Sequence, residues 1–257
     1  MPKISIIMSV YNESDKIAST LTQIINFMGN YQPDFEIVIS NDGSTDNTVE
    51  LIKSYQKSEP RIVILDNVHF GKSYNIWRAM SAAKGDYILM TDADLAAPIQ
   101  EIKKLLVWST DHGYDIVIAS REGIGAKRIK EPLIRHIMGR IFNLWIRIVA
   151  VKGISDTQCG FKLFTNKAAQ DIFPRFRVYG KNEKPTKAAY LGAWDVEALL
   201  IAQRLGYKIK SVPVVWTYVK TNRLSHVKDS IKMAWDVFKI SLNGFLGRYN
   251  SARNLDP

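Results

Sequence analysis

Apolar and polar positions follow two rhythms along the first half of the chain. Apolar runs of strand length, ISIIMSV (4–10), FEIVIS (35–40), RIVIL (61–65), DYILM (86–90) and YDIVIAS (114–120), are interleaved with stretches where apolar residues recur every three or four positions. Those stretches predict helices over Ser14–Met28, Thr45–Tyr55, Lys72–Ala83 and Ile99–Trp108. Strands that are apolar throughout are covered on both faces. The pattern therefore predicts an α/β fold: a doubly wound, mostly parallel sheet with helices on both sides.

In such sheets ligands bind at the carboxyl ends of the strands. The polar punctuation falls there: Tyr11-Asn12-Glu13 after the first run, Asn41 to Asp46 after the second, Asp92-Ala93-Asp94 after the fourth, and Ser120-Arg121 after the fifth. One crevice would collect them all.

Beyond Arg121 the rhythm changes. A basic loop, REGIGAKRIKEP, leads into LIRHIMGRIFNLWIRIVAVKG, where Leu133, Ile137, Ile141, Leu144, Trp145 and Ile148 keep helical spacing. Arg135, His136, Arg140, Arg147 and Lys152 share that helix. Its composition suits a helix lying in a membrane interface, cations toward lipid phosphates. A helix packed on the sheet with solvated arginines is the plain alternative. From His226 a second such segment carries Trp235, Phe238 and Phe245. A helix is expected over Val196–Leu205, with Asp195 as its cap the plain local reading of that acid, and the polar segment Pro174–Gly192 is expected to be a mobile loop.

The charge adds a direction. Thirty-five Lys and Arg against 25 Asp and Glu give a net charge of +10, which favours an anionic partner. Nucleic acid is not expected, because the chain has no aromatic RNP-like motif, no Cys/His zinc spacing and no GxxG clamp. His69, His112, His136 and His226 are scattered, so no zinc site is expected either. Cys159 stands alone, which excludes an intrachain disulfide, suits a reducing compartment and reads as a small buried apolar residue. The seven-residue apolar run at the N-terminus is too short for a signal segment, and no window supplies the roughly 18 apolar residues that cross a bilayer.

The chain has neither GxGxxG after its first strand nor GxxxxGK[ST], so phosphates must be held another way. Asp92 and Asp94, one residue apart at a strand end, are the kind of hard oxygen donors that carry Mg²⁺ or Mn²⁺ to a diphosphate. A turn in which an Asp caps the next helix is the alternative for an isolated match.

Taken in order, YNE, NDGSTD, GKSYN, TDADL and DTQCGFKLF resemble glycosyltransferase family 2, and within it the polyprenyl-phosphate (dolichyl-phosphate) glucosyl- and mannosyltransferases. The likeness runs from residue 3 to about 220. It implies a GT-A fold and a nucleotide-sugar donor, UDP- or GDP-linked, contacted by Ser9, Tyr11, Glu13, Asp42, Lys72, Asp92 and Asp94. Asp92 and Asp94 match the family's metal-binding DxD, with Asp94 the more direct ligand. Arg121 and Arg135 match positions on the acceptor phosphate; Asp156 and Asp195, with Arg121, fall near the point of attack, as bases or as groups that orient substrate.

The mannosyl-type enzymes often continue as DADLQHP; Ala96 at the Gln position places this chain nearer the glucosyl branch, whose usual donor is UDP-glucose. GDP-mannose remains the alternative donor. The implied activity is inverting transfer of a hexose to a polyprenyl phosphate, by a peripheral protein on the cytoplasmic membrane face, with an anionic membrane surface as partner and a homo-oligomer allowed. The Pro that commonly precedes YNE is displaced by Ser9-Val10, and the membrane anchors of many relatives are missing, which leaves room for a soluble acceptor. The expected organisation is a catalytic domain over 1–225, its nucleotide-sugar half about 1–120 and its acceptor half about 121–225, then an amphipathic helix and tail over 226–257. A nucleotidyltransferase and a silent nucleotide-sugar-binding subunit are the readings from other classes.

Overall fold

The computed structural model describes residues 3–181, 183–186, 192–219 and 226–250. Part of the expected loop (182 and 187–191), the His226 side chain and the tail 251–257 lie outside these described residues.

The five apolar runs are strands: β1 (Ile4–Val10), β2 (Phe35–Asp42), β3 (Ile62–Asn67), β4 (Tyr87–Met90) and β5 (Ile116–Ser120). Between them run α1 (Ile17–Tyr31), α2 (Thr48–Ser58), α3 (Lys72–Ala82) and α4 (Ile102–Thr110), the last entered through a 3-10 turn at Ile99–Glu101. The second half supplies β6 (Lys127–Ile129), α5 (Leu133–Val149), β7 (Lys162–Thr165), α6 (Asn166–Ile172), α7 (Trp194–Arg204), β8 (Ile209–Pro213), β9 (Val215–Thr217) and α8 (His226–Phe245).

Seven strands form one sheet in the order β3-β2-β1-β4-β7-β5-β8, and β6 pairs with β9 in a separate ribbon. Every pairing in the large sheet is parallel except those of β7, which runs antiparallel between β4 and β5. The expectation of a mostly parallel, doubly wound sheet holds.

Alternation along each strand feeds two cores. Ile7, Val38, Ile88, Met90, Ile116 and Ile118 face α3, α6 and α7, and Val237 and Ile240 of α8 join them. Ile6, Met8, Ile37, Ile39, Leu89 and Val117 face α1, α2 and α4. A fully buried aliphatic side chain contributes about 1.5–3 kcal/mol, so these two layers dominate the stability of the frame.

Two helices start later than their periodicity predicts, and the reason is the crevice. The amide of Ser14 donates to Asp46 Oδ2 at 3.2 Å, while Thr48 donates to Asp46 Oδ1 through its amide (3.1 Å) and its hydroxyl (2.5 Å). Residues 14 and 44–46 therefore knit two loops together before their helices begin.

The Pro174–Gly192 segment is not the loop expected over its first part. Phe176 and Tyr179 are buried, and the amides of Arg177, Val178 and Tyr179 donate to the Glu197 carboxylate at 2.7, 2.9 and 3.1 Å. Burial pushes Glu197 up to about 7. Tyr179 also donates from its hydroxyl to Asp236 of α8 at 3.0 Å and accepts from the Ala193 amide at 2.7 Å.

Candidate active site

The carboxyl ends of β1, β2, β4 and β5 point the same way, so the loops after them share one edge of the sheet. After β1, Asn12 takes a left-handed conformation, φ 51°. Its amide donates to Ser44 Oγ at 2.9 Å and its side-chain oxygen accepts from the Thr45 amide at 2.8 Å; the Glu13 amide donates to Thr48 Oγ1 at 2.8 Å. The first two loops are thus one unit. Burial opposes the charge on Asp46, but the bonds from Thr48 and Ser14 win and bring it down to about 2.

Asp42 closes β2 and is buried. Its Oδ1 accepts from the Phe70 and Gly71 amides (2.8 and 3.0 Å) and from Asn75 Nδ2 (2.6 Å), and His69 Nδ1 lies 2.8 Å from Oδ2. A carboxylate is acceptor-only, so Nδ1 carries the proton. Tyr11 stacks on that ring, centroids 4.4 Å apart. Asp42 shapes this wall by holding the HFGK turn. Ser9 sits beside Ser40 in the β1–β2 register. Outside the wall a cavity of about 510 Å³ is lined by Gly43, Asp46, Lys53, Asp66 and His69 among others.

The HFGK turn delivers Lys72 to the two carboxylates after β4. Lys72 Nζ donates to Asp92 Oδ1 at 2.5 Å. Burial works against its ammonium, but Asp92, with Asp94 and Asp195 beyond, outweighs it and the pKa is raised. Asp94 Oδ1 accepts from the Ala96 amide at 3.0 Å, a turn made possible by Leu95 at φ 45°. A leucine there costs on the order of 1–2 kcal/mol, a strain kept where the chain must aim two acids together. Burial and the charge of Asp92 raise the Asp94 pKa.

On the far side, Arg121 meets Asp156 in a fork: Nε to Oδ2 at 2.9 Å and Nη2 to Oδ1 at 2.8 Å, with the Arg121 amide also donating to Oδ2 at 2.8 Å. Asp156 is fully buried. Burial raises its pKa, but the guanidinium overrides this and leaves it at about 2. Arg121 lies over the Trp216 ring (5.2 Å) and Arg135 over the Tyr218 ring (5.0 Å), and those rings are 6.2 Å apart. The two arginines are brought to neighbouring platforms.

Asp195, at the start of α7, accepts from Gln158 Nε2 at 2.7 Å and from the Val196 amide at 2.9 Å. Burial raises its pKa. Cys159 is a free, buried thiol, as expected, pushed up to about 12 by burial. Gln158, Gly160, Lys162, His69, Asn75 and Trp216 also shape the site and were not named for it from the sequence. The signal available was a charged Lys162 inside the apolar KLF run and a Gln in a glycine-bounded loop.

No group of three or more His, Cys, Asp or Glu able to hold a metal occurs among the described residues. Asp92 and Asp94 nonetheless fit one. They are two hard oxygen donors one residue apart; Lys72 pairs Asp92, yet burial and the charge of Asp92 still raise the Asp94 pKa, and a divalent cation filling its remaining positions from water and a diphosphate would favour both carboxylates as anions.

Comparison with known proteins gives the family and the fold. The family model described as Glycosyl transferase family 2 matches residues 5–173. A dolichyl-phosphate beta-glucosyltransferase of Trichomonas vaginalis is 33% identical over 247 residues, covering 92% of this chain and 70% of its own. One from Dictyostelium discoideum is 33% identical over 260 residues, covering 95% and 75%. Among solved structures, glucosyl-3-phosphoglycerate synthase from Mycobacterium tuberculosis, in complex with Mn²⁺, UDP and glucosyl-3-phosphoglycerate, superposes with a TM-score of 0.64 at 18% identity, covering 98% of this chain and 82% of that one. The fold is that of the GT-A glycosyltransferases.

Proposed function

Because the chain belongs to glycosyl transferase family 2 and is a glycosyltransferase, we propose that it moves glucose, with inversion, from UDP-glucose to dolichyl or a related polyprenyl phosphate. The names of its relatives support the acceptor and the sugar. The observation that carries the reading is the convergence of Lys72, Asp92 and Asp94 with Arg121, Asp156 and Asp195 at one sheet edge.

Tyr11, Glu13, Asp42 and Lys72 form the donor wall, and Ser9 lies at its base. Asp92 and Asp94 would hold Mg²⁺ or Mn²⁺, which when bound neutralises the diphosphate and makes it a leaving group. Lys72 adds a second positive charge to that side.

A phosphate acceptor is ionised at neutral pH and attacks without a base. Asp156 suits such an acceptor, since Arg121 keeps it an anion of low basicity. Its work is to aim the guanidinium: two of the five N–H groups of Arg121 bind Asp156, which leaves three for a phosphate, with Arg135 on the neighbouring ring. Asp195 orients sugar and acceptor.

The approach to a lipid acceptor follows from α5 and α8. Outward from α5 stand Leu133, Ile134, Ile137, Ile141 and Ile148, with Ile134 75% exposed, and from α8 Trp235 and Phe245, the latter 82% exposed. No helix among the described residues is long and apolar enough to cross a membrane. This apolar face, edged by Arg140 and Arg147, supports a protein resting on the cytoplasmic face of a bilayer rich in anionic lipid.

Purified protein should be given UDP-glucose, other UDP-sugars and GDP-mannose, each with a short polyprenyl phosphate and with a water-soluble hydroxyl acceptor. Transfer of glucose to the lipid phosphate, abolished by chelator, is the expected result. Transfer to the hydroxyl acceptor alone would overturn the acceptor assignment, and preference for GDP-mannose the donor assignment.

A further inference from the structure

Lys162 lies where an ammonium group is least expected. It opens β7, paired across to Met90 of β4 and to Ile118 of β5, near the centre of the seven-stranded sheet. Its side chain is 1% exposed. A buried lysine must be paired or it loses its charge, so its neighbours define its purpose.

Those neighbours all belong to the site. Lys162 Nζ donates to the carbonyl oxygen of Cys159, on the loop that carries Asp156 and Gln158. It stands 3.7 Å from Asp195 Oδ2 and 5.5 Å from the centre of the Trp194 ring. On its other oxygen Asp195 takes the hydrogen bond from Gln158 of the same loop. One cation therefore ties the first turn of α7 to the DTQCG loop. Because β7 runs against its neighbours, its first residue arrives at the crevice end of the sheet, behind the reacting groups and not among them.

The wider charge pattern makes the arrangement specific. Asp92 is paired by Lys72 and Asp156 by Arg121, both from side chains that reach the crevice. Asp195 has its cation from beneath. Without Lys162, a carboxylate that accepts from the Gln158 amide would lose the nearer of its cations, Lys72 being the more distant one, and the oxygen that faces Lys162 would lose the attraction that orients it.

We infer that Lys162 is a positioning residue for glycosyl transfer: from below the crevice it fixes the carboxylate of Asp195 and the loop 156–160 relative to each other, without touching donor or acceptor. The inference rests on the proposed part of Asp195 in the transfer.

The test compares K162M, K162R, D195N and the double variant K162M/D195N, measuring kcat, KM for the nucleotide sugar, UDP affinity by calorimetry with Mn²⁺, and melting temperature. K162M should lower kcat by about tenfold or more while UDP affinity and donor KM stay within about twofold, because the interaction lost is made to the acid and not to the nucleotide. K162R should recover most of that loss. In the D195N background K162M should add less than about twofold, since a residue acting through another has nothing left to act on. A full additional loss in that background, or wild-type kcat in K162M, overturns the inference. If K162M does not fold, K162R carries the test: it keeps the charge, and a folded K162R that has lost kcat more than about tenfold contradicts a role for that charge. Wild-type turnover by D195N would instead remove Asp195 from the reaction, a failure of the functional assignment that is read independently of any Lys162 variant.

Discussion

Gly160 lies against Asp92 so closely that a side-chain carbon built on it would overlap the carboxylate. The glycine is required here by approach and not by backbone angle. The obstructing atoms are the end of a side chain, which can swing away. Gly160→Ala should therefore leave the melting temperature within a few degrees of wild type while lowering metal-dependent turnover by about tenfold or more, as Asp92 is turned from Lys72 and from any cation. Normal kcat in G160A would show that Asp92 works from another rotamer.

Asp94→Ala should retain the fold and lose most Mg²⁺- or Mn²⁺-dependent activity, since one carboxylate does not hold the cation against water. The variant is expected to melt no lower than wild type, because the change removes a half-buried charge that Asp92 repels. Turnover near wild type at saturating Mn²⁺ would sink the metal assignment.

Removing Arg121 strips the partner from a fully buried carboxylate, which should cost about 3–5 kcal/mol of stability besides weakening the acceptor. Arg121→Ala is expected to lower the urea midpoint and raise acceptor KM far more than donor KM. Equal loss of UDP affinity would move the arginine to the diphosphate side.

The same pair predicts the response to acid. The folded pKa of Asp156, at about 2, lies below its unfolded value of about 3.9. The folded state thus binds fewer protons in that interval, and the pair's contribution is complete above about pH 4 and lost as the pH falls toward 2. Urea unfolding across that window should show the wild type losing stability more steeply than Asp156→Asn; parallel curves would mean that the pair does not set the acid limb.

Arg140 and Arg147 are exposed on α5, and neither is among the residues of the proposed donor wall. Replacing both by Glu should weaken binding to anionic vesicles by about tenfold or more at low salt, with UDP affinity unchanged. A wild type that ignores such vesicles at low salt would leave the apolar face of α5 and α8 to a protein partner.

The five parallel strands and the helices between them were legible because each is a local pattern repeated over a whole element. β7 was not. It is four residues long and holds a lysine, and its place between β4 and β5 depends on pairing with strands made much earlier. The DxD motif could be read directly, since its two acids are neighbours in sequence. The partner of Arg121 could not, because Asp156 lies 35 residues away and only the fold joins them. Asp42 marks a third case: its position at a strand end was legible, but the commitment of its oxygens to His69, Phe70, Gly71 and Asn75 follows from a turn whose shape no local pattern announces.

The antiparallel β7 also bears on how the molecule is made. β4 and β5 are not neighbours, so until residues 162–165 leave the ribosome β4 keeps an open apolar edge and β5 has no seat beside it. An unpaired edge is a template for association with other chains. A nascent chain stalled before residue 162, or a fragment cut there, should then be more prone to aggregate than one ending after β7. Synthesis passes through a vulnerable interval that closes with the arrival of the strand that carries Lys162.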